Sequence, residues 1–210
     1  MEIKVFELGE FATNAYLLLD KQLGEAILID APEGTTKVIK SHLETSHCTL
    51  KHILITHGHW DHTFEMENIR KLGVPSYAHT GDQSLIENPA IMSAVAMRDL
   101  GVAPSKIDHT LTDGDEVSLL NQTIRILHVP GHSRGNIAFY FPKLNCVFPG
   151  DALFAGSIGR FDLPGGSKEQ LFQSIKEKLY TLPDETIVYP GHGPKTTIGH
   201  EKKFNNFVRG

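Results

Sequence analysis

Seven side chains of metal-ligating type fall in four short clusters: His57-Gly58-His59-Trp60-Asp61-His62, Pro130-Gly131-His132, Pro149-Gly150-Asp151 and Pro190-Gly191-His192. Imidazole and carboxylate together suit zinc, iron or manganese and do not suit calcium. Seven nitrogen and oxygen donors are too many for one tetrahedral ion. They suffice for two divalent ions if one carboxylate bridges. In the first cluster His57 and His59 alternate and can share a side, while Asp61 and His62 can turn to a second ion. The other three clusters repeat one device: proline ends a strand, and glycine lets the chain turn so that the next side chain leaves the sheet edge.

Charge bookkeeping points the same way. Two dications bring four positive charges, Asp61 and Asp151 offset two, and a bridging hydroxide leaves the site cationic. Such a site polarises a carbonyl oxygen and lowers the pKa of water to roughly 7 in favourable cases. A hydroxide nucleophile is then available without a serine or cysteine. Ser133 follows His132, but it has no free histidine base and is a poor nucleophile candidate. The other histidines (His42, His47, His52, His79, His109, His128 and His200) lack the Pro-Gly device and read as surface or core residues.

The elements that must hold these donors are legible in part. Strands are expected at residues 2–8, 14–20, 25–30 and 52–56, with a helix from 34 to about 45. The His-rich run begins where the strand at 52–56 ends. A helix is expected at 63–72, closed by Gly73. A strand follows at 74–79, then helical residues 80–100 in two pieces because Pro89 interrupts them. Asp113-Gly114 reads as a turn between short strands, with strands following near 116–119, 123–128, 136–141 and 144–148. Residues 155–166 read as a long loop. A helix at 168–181, a strand at 186–189 and a helix at 199–206 complete the chain. The order is a β-meander with helices after it, twice over. An α+β fold is expected, with two mixed sheets packed face to face and helices outside, in one domain over residues 1–210.

Composition excludes several classes. Hydrophobic residues make up 40% and charged residues 21%, the balance of a globular domain and not of a disordered one. A net charge of −5 and the lack of a basic block argue against nucleic acid as a partner; Lys202-Lys203 reads as a solvated helix face. With only Cys48 and Cys146 there is no thiolate zinc motif and no disulfide framework, as expected of a cytoplasmic protein. Met1 to Phe6 alternates polar and apolar residues and lacks the apolar core of a signal peptide. No stretch approaches the roughly 20 apolar residues needed to span a membrane.

The run Thr56-His57-Gly58-His59-Trp60-Asp61-His62, followed in order by His132, Asp151 and His192, resembles the metallo-β-lactamase superfamily over essentially the whole chain. The resemblance implies an αββα sandwich, with one metal on His57, His59 and His132, a second on Asp61, His62 and His192, and Asp151 bridging. It also implies that Asp61 is catalytic, orienting the nucleophile. Zinc is the default metal, with iron or manganese also compatible.

Gly156-Ser157-Ile158-Gly159-Arg160-Phe161-Asp162 with Pro164-Gly165-Gly166, and the C-terminal Gly193-Pro194, Thr196-Thr197-Ile198-Gly199, Glu201, Asn205 and Phe207, look like short-form glyoxalase II proteins. Asn206 departs from that pattern, where proline is usual. This narrower resemblance implies hydrolysis of a small-molecule thioester such as S-lactoylglutathione. A monomer or small homo-oligomer is expected. Arg160 either pairs with Asp162 or meets a substrate carboxylate. Two rivals share the fold: a persulfide dioxygenase with one iron, and a hydrolase of lactones, β-lactams or phosphodiesters. β-Lactamases commonly carry Cys where Asp151 stands, which counts against that branch.

Overall fold

Alternating residues at the N-terminus give an edge strand, and the apolar runs after it give buried ones. In the computed structural model, which describes residues 1–210, β1 (Glu2–Leu8) pairs antiparallel with β2 (Thr13–Asp20), and β2 with β3 (Glu25–Ile29). The chain forms two compact units, Met1–Thr110 and Leu111–Gly210.

In the first unit α1 (Thr35–Ser46) carries the chain from β3 to β4 (Thr49–Leu54), which runs parallel to β3. β5 (Ser76–His79) runs parallel to β4, and β6 (His109–Leu111) completes the sheet order β1-β2-β3-β4-β5-β6. Leu17, Leu28, Ile53, Met66 and Ile69 are buried in one cluster against which Leu43 of α1 packs. Each fully buried Leu or Ile contributes roughly 1.5–3 kcal/mol, so the β3 and β4 ends are firmly held. Their parallel register, Ile29 beside Leu54, brings Asp30 and Thr56 side by side.

The second unit repeats this logic. β7 (Glu116–Leu119), β8 (Gln122–His128), β9 (Ile137–Phe141) and β10 (Cys146–Phe148) form an antiparallel meander. A short hairpin, β11 (Leu153–Phe154) with β12 (Ser157–Ile158), leads towards α6 (Lys168–Ser174). Then β13 (Ile187–Val188) runs parallel to β10, with β14 (Thr196–Thr197) on the edge and α7 (Ile198–Phe204) after it. The pair β10/β13 places Pro149-Gly150-Asp151 next to Pro190-Gly191-His192, and Gly191 N donates to Gly150 O at 2.9 Å.

The α+β class with two mixed sheets is as expected, and most elements fall where the sequence put them. Some do not. The helix expected at 63–72 is two short ones, α2 (Trp60–Thr63) and α3 (Met66–Arg70). The break is tertiary: Ala31 N donates to His62 O and Glu65 N donates to Ala31 O, drawing the chain onto the end of β3. Asp61 and His62 thereby lie in a helical turn. The helical residues after 80 do split at Pro89, into α4 (Gln83–Glu87) and α5 (Ala90–Ala96). The helix expected at 168–181 is α6 continued by a wider π-helical turn, Ile175–Leu179. The expected loop 155–166 contains half of a hairpin, β6 is a short strand ahead of the Asp113-Gly114 turn as expected, and the short strand β14 was not anticipated. No helix is long and apolar enough to cross a membrane.

Arg70 of α3 grips Asp108, which precedes β6, with two hydrogen bonds of 2.7 and 2.6 Å, and Ser76 N and Oγ also donate to Asp108 at 3.0 Å. The guanidinium first, and the Ser76 donors with it, hold the Asp108 carboxyl well below the usual carboxylate range. A depressed folded value means that this stabilisation is present above the ordinary carboxylate pKa and lost as pH falls through the lowered one. Asp108→Asn is expected to cost about 2 kcal/mol near neutral pH. In thermal melts the gap from wild type should close progressively below about pH 4; a gap independent of pH would refute the charge contribution.

Candidate metal centre

Hydrogen bonds to Asp30 and to Thr56 orient two imidazoles of the first unit. Asp30 follows β3, is 1% exposed, and lies in the left-handed region at φ 59°. Its Oδ1 accepts from Thr56 N at 2.8 Å. Its Oδ2 accepts from Thr56 Oγ1 and from His62 Nδ1, each at 2.8 Å. Thr56 Oγ1 in turn lies 3.1 Å from His57 Nδ1. Because the Thr56 proton goes to Asp30, the His57 ring donates to the hydroxyl oxygen. One carboxylate therefore sets the orientation of two imidazoles, directly and through a hydroxyl.

His57, His59 and His62 are buried, and the His57 ring lies 4.7 Å from His59 and 4.2 Å from His62, centroid to centroid. Between His57 and His59, Gly58 N donates to Asp82 Oδ2 at 2.9 Å. A Cβ on Gly58 would sit 2.8 Å from the Asp82 Cβ, so glycine is required for that approach. Asp61 Oδ2 accepts from Thr13 Oγ1 at 2.9 Å and stands 3.4 Å from His62 Nε2. Trp60, between the ligands, meets Phe11 edge to face at 5.0 Å.

The second unit brings its three predicted donors together. Asp151 Oδ2 lies 3.5 Å from His132 Nε2 and 3.3 Å from His192 Nε2. His132 Nδ1 donates to the Arg160 carbonyl at 2.7 Å. The approach needs Gly159, whose Cβ would fall 1.8 Å from the Asp151 carbonyl oxygen. Gly131 (φ 127°) is equally constrained, with a Cβ position 2.2 Å from Leu171 N of α6. Gly131 and Gly150 have positive φ, but Gly191 is absent from that set, so the glycine device operates through left-handed backbone at two of the three turns.

These rings carry their proton on Nδ1, since a carboxylate or a carbonyl can only accept. For His62 and His132, Nε2 then presents a lone pair, facing a carboxylate oxygen 3.4 Å away in one case and 3.5 Å in the other. Acceptor facing acceptor is unfavourable unless a cation lies between. With imidazole and carboxylate as the donors, a divalent transition metal fits.

Arg160 acts here through its main chain. Its guanidinium makes two 2.8 Å bonds to Asp162 on an exposed surface. This pairing, before other effects, raises the Arg160 pKa and lowers that of Asp162 to about 2. Asp30 and Asp82 were not singled out from the sequence, and Thr56 and Gly159 were read only as members of their motifs, with no orienting or packing role. The one local signal for Asp30 was an acid at the end of a buried strand, the same context as Asp151.

This donor set has known relatives. A family model for the metallo-beta-lactamase superfamily matches residues 8–192. Hydroxyacylglutathione hydrolase GloC of Haemophilus influenzae is 35% identical, over 99% of this chain and 98% of that protein. The probable metallo-hydrolase YqgX of Bacillus subtilis is 33% identical, over 100% and 99% respectively. Among solved structures, the BLEG-1 B3 metallo-beta-lactamase superposes with a TM-score of 0.91 at 38% identity, covering 100% of both chains. TTHA1623 in a di-iron-bound form superposes with a TM-score of 0.83 at 38% identity, over 98% of this chain and 100% of that one. The chain belongs to the metallo-beta-lactamase superfamily and carries the His and Asp donors of a metallo-hydrolase.

Asp30→Asn tests the orienting carboxylate, because asparagine tolerates the same left-handed backbone. Metal affinity, read by competition with a chromophoric chelator, is expected to fall about 10- to 100-fold. Wild-type affinity in a folded Asp30→Asn protein would show that the two imidazoles need no such anchor.

Proposed function

We propose that the chain is a binuclear metal-dependent thioester hydrolase of glyoxalase II type. In this reading His57, His59 and His132 hold one ion, Asp61, His62 and His192 hold the other, and Asp151 bridges. The observation that carries it is Asp151, whose single oxygen Oδ2 stands within 3.5 Å of His132 Nε2 and 3.3 Å of His192 Nε2, ligands assigned to different ions. The di-iron form of TTHA1623 supports two-ion occupancy and keeps iron beside zinc as the resident metal. The thioester rests on similarity to a protein named hydroxyacylglutathione hydrolase.

When bound, the ions would supply Lewis acidity for the carbonyl and lower the pKa of the attacking water. The chain's own residues position the partners. Asp61, steadied by Thr13 Oγ1, orients the attacking water. A thiolate leaves readily, so no proton donor is needed on the leaving side. The exposed Arg160–Asp162 pair is weak enough to exchange for a substrate carboxylate.

Purified protein is expected to hold two metal equivalents per chain by mass spectrometry and to favour S-lactoylglutathione in a panel of thioesters, lactones, β-lactams and phosphodiesters. Asp61→Ala should lose roughly 10²- to 10⁴-fold in rate. Near-full rate with both metals retained would remove Asp61 from its assigned role. One iron per chain, with oxygen uptake on glutathione persulfide, would replace the hydrolase reading with the dioxygenase one.

A further inference from the structure

Glu201, on α7, has no solvent exposure and is not among the metal donors. A buried carboxylate is costly unless its oxygens are hydrogen-bonded, and these are. Oε1 accepts from Thr196 Oγ1 at 2.7 Å. Oε2 accepts from Gly156 N at 2.9 Å and from Asn205 Nδ2 at 2.8 Å. Asn205, also fully buried, donates from Nδ2 to Ser157 O at 3.0 Å and accepts at Oδ1 from Phe207 N and Val208 N. Asn206 Nδ2 adds a bond to Gly156 O at 3.1 Å.

These grips converge on Gly156 and Ser157, the tip of the β11–β12 hairpin. The hairpin's two ends are functional. Asp151 stands two residues before β11. Arg160 stands two residues after β12, and its carbonyl orients His132. The other oxygen of Glu201 holds Thr196, four residues beyond His192. One buried carboxylate thus ties the hairpin that serves Asp151 and His132 to the segment that follows His192.

We propose that Glu201, with Asn205, is a positioning residue for the metal donors of this unit. It fixes the hairpin tip so that Asp151 and the Arg160 carbonyl stay in register with His192. The proposal rests on the reading of His132, Asp151 and His192 as metal ligands. Three N–H or O–H donors converge on its two oxygens. A glutamine of the same volume keeps one acceptor oxygen, and its NH2 is matched only if the Thr196 hydroxyl reverses from donor to acceptor.

The test compares metal-free wild type and Glu201→Gln, reloaded with Zn²⁺ in competition with a chromophoric chelator, and thermal melting of the metal-free forms. Zinc affinity is expected to fall about 10-fold in Glu201→Gln. Lys202→Ala is the stability control: on the same helix it loses its 2.6 Å bond to Asp184 but does not touch the hairpin, and it should bind zinc as wild type does. If Glu201→Gln melts lower yet binds zinc within about 2-fold of wild type, the residue only braces the fold and the proposal is overturned. Should Glu201→Gln fail to fold, Thr196→Val decides. It removes one bond and keeps the carboxylate, so an affinity loss of about 3-fold is expected, and an unchanged affinity overturns the proposal. Wild type holding one ion instead of two would refute the two-ion reading, while the Glu201 comparison is still read on that ion. Wild type that holds no zinc refutes both.

Discussion

Asp30 has almost no contact with water and receives three donors, Thr56 N, Thr56 Oγ1 and His62 Nδ1, each at 2.8 Å. A carboxylate taken out of water costs several kcal/mol unless donors and opposite charge compensate it. The donors supply part of that compensation, and a cation held beyond the imidazoles would supply the rest through polarised rings. The same contact fixes which nitrogen of His62 carries the proton, and through Thr56 it does so for His57. Without Asp30 either ring could flip or exchange tautomers, and the spacing of His57, His59 and His62 would no longer define a coordination site.

What allows this contact is the parallel pairing of β3 and β4, whose C-terminal ends lie side by side. The second unit reaches the same end with β10 and β13, which deliver Asp151 and His192 from adjacent strand ends. In an open sheet, the crevice beyond the carboxyl ends of parallel strands is the place where backbone groups and side chains converge without a competing ladder partner. Antiparallel neighbours would have sent these chains in opposite directions. Close packing then narrows the choice of residue at Gly58, Gly131 and Gly159, where a single Cβ would collide with a neighbouring side chain or main chain.

The donors were legible in the sequence because each lies within a residue or two of an unmistakable local sign, a Pro-Gly turn or a His-x-His repeat. The strand and helix order was legible for the same reason, from apolar runs and turn residues. The residues that aim the donors were not. Asp30 lies 26 positions from Thr56 and 32 from His62, Asp82 lies 24 from Gly58, and Glu201 lies 45 from Gly156. No periodicity connects such pairs; only the folded register does. The helix expected at 63–72 failed on the same ground. Its helical spacing was real, but hydrogen bonds from Ala31 decide where the turns begin and break. β14, of two residues, is too short to show a pattern and exists through its neighbour β13.

The proposal of a thioester over a β-lactam rests on what the donors leave unprovided. Relatives at similar identity carry the names of a hydroxyacylglutathione hydrolase and of a B3 metallo-beta-lactamase, so identity alone does not choose between thioester and β-lactam. The chemistry differs in one respect. Opening a β-lactam expels an amine nitrogen that must be protonated, whereas a thioester expels a thiolate that leaves unaided. His62 in one unit and His132 in the other are aimed through Nδ1 hydrogen bonds to acceptors, an arrangement that would direct Nε2 to a cation and not to a leaving group. If these imidazoles act as ligands, as proposed, such a centre would be better matched to a substrate that asks for a nucleophile and an electrophile than to one that also asks for an acid.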